Sequence, residues 1–294
     1  MVKAKVSFLL GAVLLIAGCA PKPTSVGDHA GFTWQKFLMD GSRTGVTAVV
    51  GTDVKAALGS VGDGVYTAPN GRVFTEGSVV AAASGLLACQ DTLAYLKEVV
   101  GQCPTGMVRA GCNSQMASWT ADVLARGVES ITGKKVDMAV TNLGGIRLDM
   151  PKGDVLLDDI SSMFPFKNYL CYVALRGSDV RALLEQFAAT RFQALSGVKV
   201  VTEDGKLVSV EVGGKPLDDK KTYGVATIDF LLDGGDGISV ARNARNLIIT
   251  DVKVLDWVKT YLSGLAAEGK GIGCPDSVRV EFRGETATAN PLGI

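Results

Sequence analysis

Histidine is almost absent: the 294 residues contain one, His29. That scarcity excludes a Ser-His-Asp or Cys-His nucleophile within the folded part, and it leaves no stock of imidazoles for a two-metal centre. Net charge is missing as well, because thirty Lys and Arg balance thirty Asp and Glu. No long-range field then draws the chain to a phosphate backbone, and a nucleic-acid polymer is not an expected partner. Cys89, Cys103, Cys112, Cys171 and Cys274 do not form paired CxxC motifs, so neither a structural zinc site nor any other metal site is expected. In an oxidising compartment they permit two disulfides and one free thiol, with a connectivity that spacing does not fix. No repeat recurs at a fixed period, and beyond the first residues no run is apolar enough to span a bilayer.

What is present begins at the N-terminus. Lys3 and Lys5 precede an apolar run from Val6 to Ala17 that is too short and wrongly flanked for a membrane span, and it reads as a signal peptide. The run closes on Ile16-Ala17-Gly18-Cys19, which resembles a bacterial lipobox. That resemblance implies that the Cys19 thiol takes a diacylglycerol and becomes the mature terminus. The chain is then expected to be exported and lipid-anchored to a bacterial membrane, on the periplasmic or outer face. Pro21, Pro23, Ser25 and Gly27 give residues 20–30 the composition of a tether, with His29 a solvated linker residue. The expected organisation is a signal peptide over 1–18, a tether and short N-terminal segment over 19–84, one domain over 85–286 and a tail over 287–294.

A content of 47% apolar residues is ample for a core. Glycine-punctuated stretches such as Val65–Thr67 and Arg72–Thr75 read as hairpins. Leu86, Leu93, Leu96, Val99 and Val100 fall at helical spacing, and Ser114 can cap a second helix carrying Met116, Trp119, Val123 and Leu124 inward. Val136–Thr141 and Tyr169–Arg176 read as strands, Ser178 opens a helix, Val198–Val201 and Leu207–Val212 flank a turn at Asp204-Gly205, and Tyr223–Ile228 is a further strand. Adjacent antiparallel strands favour an α+β fold, with mixed sheets flanked by helices, over a doubly wound sheet.

Three stretches place polar or aromatic groups at the ends of these strands, where loops meet ligands. Asn142-Leu143-Gly144-Gly145-Ile146-Arg147 is either a tight turn with a surface arginine or a turn that presents an amide and a guanidinium. Phe164-Pro165-Phe166-Lys167-Asn168 places Phe164 in the core at a kink and leaves Phe166 open to either role. Asp229 to Gly237 runs into a turn containing Gly234, Gly235, Asp236 and Gly237, whose acids lack the alternate-position spacing of a calcium loop.

Together these stretches resemble the C-terminal domain of 5'-nucleotidases, whose pattern is N-x-G-G-I-R, P-F-x-N, S-G and F-x-x-x-G-G-D-G. The motifs stand here, in that order, as Asn142–Arg147, Pro165–Asn168, Ser196-Gly197 and Phe230–Gly237. The resemblance implies a nucleobase clamped between Phe166 and Phe230, a ribose addressed by Arg147 and Asp236, a base edge read by Asn142, and Asn168 contributing nearby. Stacking suits this role because it tolerates different bases. Arg109 is the only counterpart of a further ligand-binding arginine, and the spacing around it departs from the family pattern. Met116-Ala117-Ser118-Trp119 departs from the family's helix start in the same way.

Complete 5'-nucleotidases place a two-metal phosphatase domain before this one. The resemblance therefore implies a nucleotide-binding component of a split 5'-nucleotidase, with nucleoside or nucleotide as ligand. No cofactor is expected in this chain, and divalent metals are expected only on a separate metallophosphatase chain. An independent nucleoside-binding lipoprotein and a ligand-free scaffold are the competing readings.

Overall fold

The computed structural model describes residues 44–47, 53–274 and 278–284. The expected signal peptide, Cys19, the tether with His29 and the tail over 287–294 lie outside the described residues. In chain order the elements begin with α1 (Val54–Leu58), β1 (Ser60–Gly62), β2 (Val65–Thr67), β3 (Val73–Phe74), α2 (Ser78–Ala88) and β4 (Val99–Cys103). Next come α3 (Gln115–Thr132), β5 (Met138–Thr141), β6 (Gly153–Leu156), α4 (Leu157–Met163), β7 (Tyr169–Arg176), α5 (Gly177–Ala189) and β8 (Ala194–Ser196). The chain continues through β9 (Val198–Glu203), β10 (Lys206–Val212), β11 (Lys215–Pro216), β12 (Thr222–Ile228), β13 (Asn246–Lys253), α6 (Val254–Ala267) and β14 (Val280–Arg283).

The architecture is α+β. The central sheet runs β13-β7-β12-β5-β8, and a second sheet runs β11-β10-β9-β14. β5 lies parallel to β12, whereas β7 lies antiparallel to it. β5 is buried along its whole length, and β7 from Leu170 to Leu175, as expected of strands covered on both faces. Helix α3 covers this sheet. Ser114 caps it, its hydroxyl accepting from the Ala117 amide at 3.1 Å, and Met116, Trp119, Val123 and Leu124 all point into the core. Phe164 joins them as expected, 5% exposed and stacked on Trp119 with centroids 6.5 Å apart. Helix α6 closes the other flank of α3, where the Trp257 indole donates to the Val123 carbonyl at 2.8 Å.

One expectation needs correction. Val99 and Val100 continue no helix: after a short 3-10 turn over Ala94–Lys97 they open β4, because β6 offers antiparallel hydrogen bonds that the local pattern does not reveal. Residue 85 lies within α2. The continuous core starts later, at Cys103, while α1, β1 to β3 and α2 form a small satellite beside it.

Of the five cysteines among the described residues, Cys89 is exposed and Cys103, Cys112, Cys171 and Cys274 are buried. Burial pushes the Cys112 thiol up to about 11 and the Cys171 thiol up to about 12, with the Asp229 carboxylate adding to the effect at Cys171. A thiolate is the reacting species, so alkylation of the folded protein at mildly alkaline pH is expected to modify Cys89 alone. Denaturant should release the other four, and mass mapping of modified peptides checks both results.

Candidate functional site

Strand polarity alone gathers the three singled-out stretches. Because β5 and β12 are parallel, their C-terminal ends share one edge of the sheet, and antiparallel β7 begins at that same edge, with Leu170 opposite Ile228. The Asn142 turn leaves β5, the Phe166 segment enters β7, and the Asp229–Gly237 turn leaves β12. They surround a cleft of about 230 Å³ lined by Asn142, Gly144, Gly145, Arg147, Phe166, Asn168, Phe230 and Asp236.

Local bonds hold each loop in place. In the first, the Gly145 amide donates to the Asn142 carbonyl at 3.1 Å and the Arg147 amide to the Met163 carbonyl at 2.9 Å. A β-carbon on Gly145 would stand 2.7 Å from Asn142 Oδ1, so the turn needs glycine where the asparagine folds over it. In the third, Asp229 Oδ1 accepts from the amides of both Phe230 and Tyr169, at 2.9 and 3.1 Å, which ties the start of the turn to β7. Gln186 on α5 donates to the Gly237 carbonyl at 2.8 Å. Asp236 adopts a left-handed conformation with φ 51°, which short polar side chains tolerate better than most.

The loops are also tied to one another. Asn142 is buried, and its Nδ2 donates to Asp236 Oδ2 at 2.6 Å. That contact fixes the amide orientation, since the reverse would set two oxygens against each other. Asn142 Oδ1 is then a buried acceptor with no partner among the described residues. Such a group costs stability unless something donates to it. Arg147 Nη1 donates to the Gly144 carbonyl at 3.1 Å, and its guanidinium carbon stands 5.8 Å from the Phe166 ring centre. Phe166 and Phe230 are 47% and 46% exposed, so neither ring is spent on the core. The cleft thus offers two apolar faces, a guanidinium, an unpaired amide oxygen and a carboxylate. These groups suit a flat heterocycle joined to a polyol.

Arg109 sits apart from that lining. Its Nη1 donates to the Ile146 carbonyl at 2.8 Å, and its Nε lies 3.5 Å from Asp149 Oδ1, so it braces the back of the first loop. Ser196 also lies elsewhere: its hydroxyl donates to Asp122, a carboxylate that Arg279 binds at 3.0 Å. Two contributors carry no family motif. Gln193 Oε1 accepts the Leu143 amide at 3.0 Å and so shapes the first turn, and Asp229 anchors the third. A lone glutamine beside a short strand gives no signal in sequence. Asp229 does, as an acid at a strand end that can accept from the amide after it.

Among the described residues no three His, Cys, Asp or Glu side chains converge as metal ligands.

The central sheet thus carries an aromatic and polar cleft at one end, and comparison shows what the chain is similar to. Residues 99–243 match the family described as 5'-nucleotidase, C-terminal domain. Protein UshA of Yersinia enterocolitica is 39% identical over 132 residues, which cover 43% of this chain and 24% of that protein. Protein UshA of Escherichia coli K12 is 30% identical over 131 residues, again 43% of this chain and 24% of that protein. The match therefore spans about a quarter of the length of these curated relatives. The crystal structure of a 5'-nucleotidase precursor from Thermus thermophilus superposes with a TM-score of 0.61 at 25% identity, covering 70% of this chain and 43% of that one.

Proposed function

We propose that this chain is the nucleotide-binding component of a split 5'-nucleotidase, exported and held to a membrane through Cys19, and that a separate metallophosphatase chain supplies the hydrolytic step. The observation that carries the reading is the pair of half-exposed phenylalanines, Phe166 and Phe230, on one cleft with Asp236 and Arg147. A base stacks between the rings. Asp236 already receives Asn142 through Oδ2, and its Oδ1 remains to accept a ribose hydroxyl. Arg147 contributes donors at the same rim, and Asn142 Oδ1 takes a hydrogen bond from the base edge. The single histidine supports placing the metal chemistry on another chain.

Calorimetric titration of the soluble Cys19→Ser chain with adenosine, AMP and ATP tests the reading. Binding of at least adenosine or AMP is expected, without release of phosphate from AMP when divalent metal is added. Asp236→Asn should narrow the difference in affinity between adenosine and 2'-deoxyadenosine while leaving the ranking of bases in place, because the rings are untouched. Absence of binding to any nucleoside or nucleotide by the folded chain would sink the proposal. Robust turnover in a contaminant-controlled preparation would sink its division of labour.

A further inference from the structure

Helix α2 has a composition that water does not tolerate on every side. Ser78 to Ala88 contains no charged residue, yet none of its residues is buried. A helix that is apolar all round belongs in a core or a bilayer, and one this short is marginal by propensity alone. It rests on β1 and β2 along one side. Beside it runs an apolar groove of about 420 Å³ whose lining includes Val46, Leu58, Tyr66, Val79, Leu86 and Leu87. Val79 and Leu86 are exposed, as is Val73 on the neighbouring strand. Among its described residues the buried apolar side chains are Ala57, Tyr66 and Ala68, few for an independent core.

We propose that α2 and its groove form a face that seats on a lipid bilayer. The inference rests on reading Cys19 as the lipid attachment point, and the tether length is what selects a bilayer over another apolar partner. The residues between Cys19 and Thr44 reach at most about 90 Å when fully extended, so a lipid anchor at Cys19 holds the satellite, the first folded part described after it, within that distance of the bilayer. Lipid at Cys19 keeps the local concentration of bilayer high enough for a contact that would not hold a free protein. Acids outnumber bases between Asp53 and Glu98, so the contact is apolar and does not depend on anionic headgroups. Exposed Tyr95, followed by Lys97, supplies the amphipathic edge that headgroups accommodate.

Cys89, at the C-terminal cap of α2, is exposed while the other four described cysteines are buried, so it accepts a thiol-reactive fluorophore selectively. The full-length lipidated protein is placed in phosphatidylethanolamine and phosphatidylglycerol vesicles doped with nitroxide lipid. Quenching of the fluorophore is expected, insensitive to salt and to the phosphatidylglycerol fraction. The double variant Val79→Glu, Leu86→Glu should lower the quenched fraction about tenfold or more, while adenosine binding shows that the variant is folded. A second arm holds the Cys19→Ser chain to nickel-chelating lipid through an N-terminal hexahistidine tag. Mass spectrometry showing no lipid on Cys19 would then remove the anchor reading and still leave the face tested. An unquenched fluorophore in both arms overturns the proposal. So does a concentration-dependent dimer that shields Cys89 and is broken by the same double variant.

Discussion

Phe230→Ala is expected to weaken adenosine binding about tenfold to hundredfold, equivalent to about 1–3 kcal/mol of lost stacking. The ring is half exposed, so its removal opens no core cavity and the melting temperature should stay close to that of the unaltered chain. Phe166→Ala should cost a similar amount, with a further contribution because the Arg147 guanidinium loses the ring it stands over. The double variant should lose less than the two single losses added together, since both rings grip one base and the second has less to hold once the first is gone. Calorimetry with adenosine, paired with thermal melts of each variant, reads these effects. If both single variants are folded and bind adenosine as tightly as the unaltered chain, the two rings are not a clamp.

Gly235→Ala is expected to damage both stability and binding. A β-carbon there would lie 1.9 Å from the Phe230 carbonyl oxygen and 2.9 Å from its ring carbon Cδ1. The backbone of Phe230 cannot yield by rotating a side chain, so the whole turn must open. Overpacking of this kind costs about 1–3 kcal/mol. Opening the turn also displaces the Phe230 ring and the Asp236 carboxylate together. Adenosine affinity should therefore fall about tenfold or more, as for loss of the ring itself. The contrasting substitution is Gly264→Ala in α6, where a β-carbon meets open space. That change should raise stability by about 0.5–1 kcal/mol through helix propensity and leave binding alone. Chemical denaturation of the two variants, with matched titrations, separates a local turn effect from a general response to an added methyl. Normal affinity in Gly235→Ala would show that the turn does not position the cleft.

Much of the fold was written in local pattern. The strand over Tyr169–Arg176 has the ends that its short apolar run gives it, and the hairpin around Asp204-Gly205 follows from a turn that places Asp204 at φ 49°. The capped helix from Ser114 was equally plain, because its cap and its apolar stripe agree. What stayed hidden depends on distant partners. Val99 becomes a strand only because β6 lies beside it, and the parallel pairings of β5 with β12 and β9 with β14 leave no trace in any short window. The cleft-lining residues were marked by the resemblance of four ordered motifs to one family, since each stretch taken alone also read as an ordinary turn or core segment. Arg109, a candidate whose spacing departs from the family pattern, and Ser196 make bracing bonds away from the cleft lining, which only three-dimensional context reveals.

The Asn142–Asp236 hydrogen bond joins residues 94 positions apart in the chain, and this separation has a kinetic meaning. Loop-closure entropy must be met before such a contact returns anything, so sheets built on distant parallel pairs form slowly. The cleft is thus among the last features to be completed during refolding. Ligand binding should appear with the slowest structural phase, well after α3 has formed its helical circular dichroism signal. On the ribosome, a chain that has not yet delivered Asp236 holds Phe166 and Asn142 without the residue that closes the cleft around them.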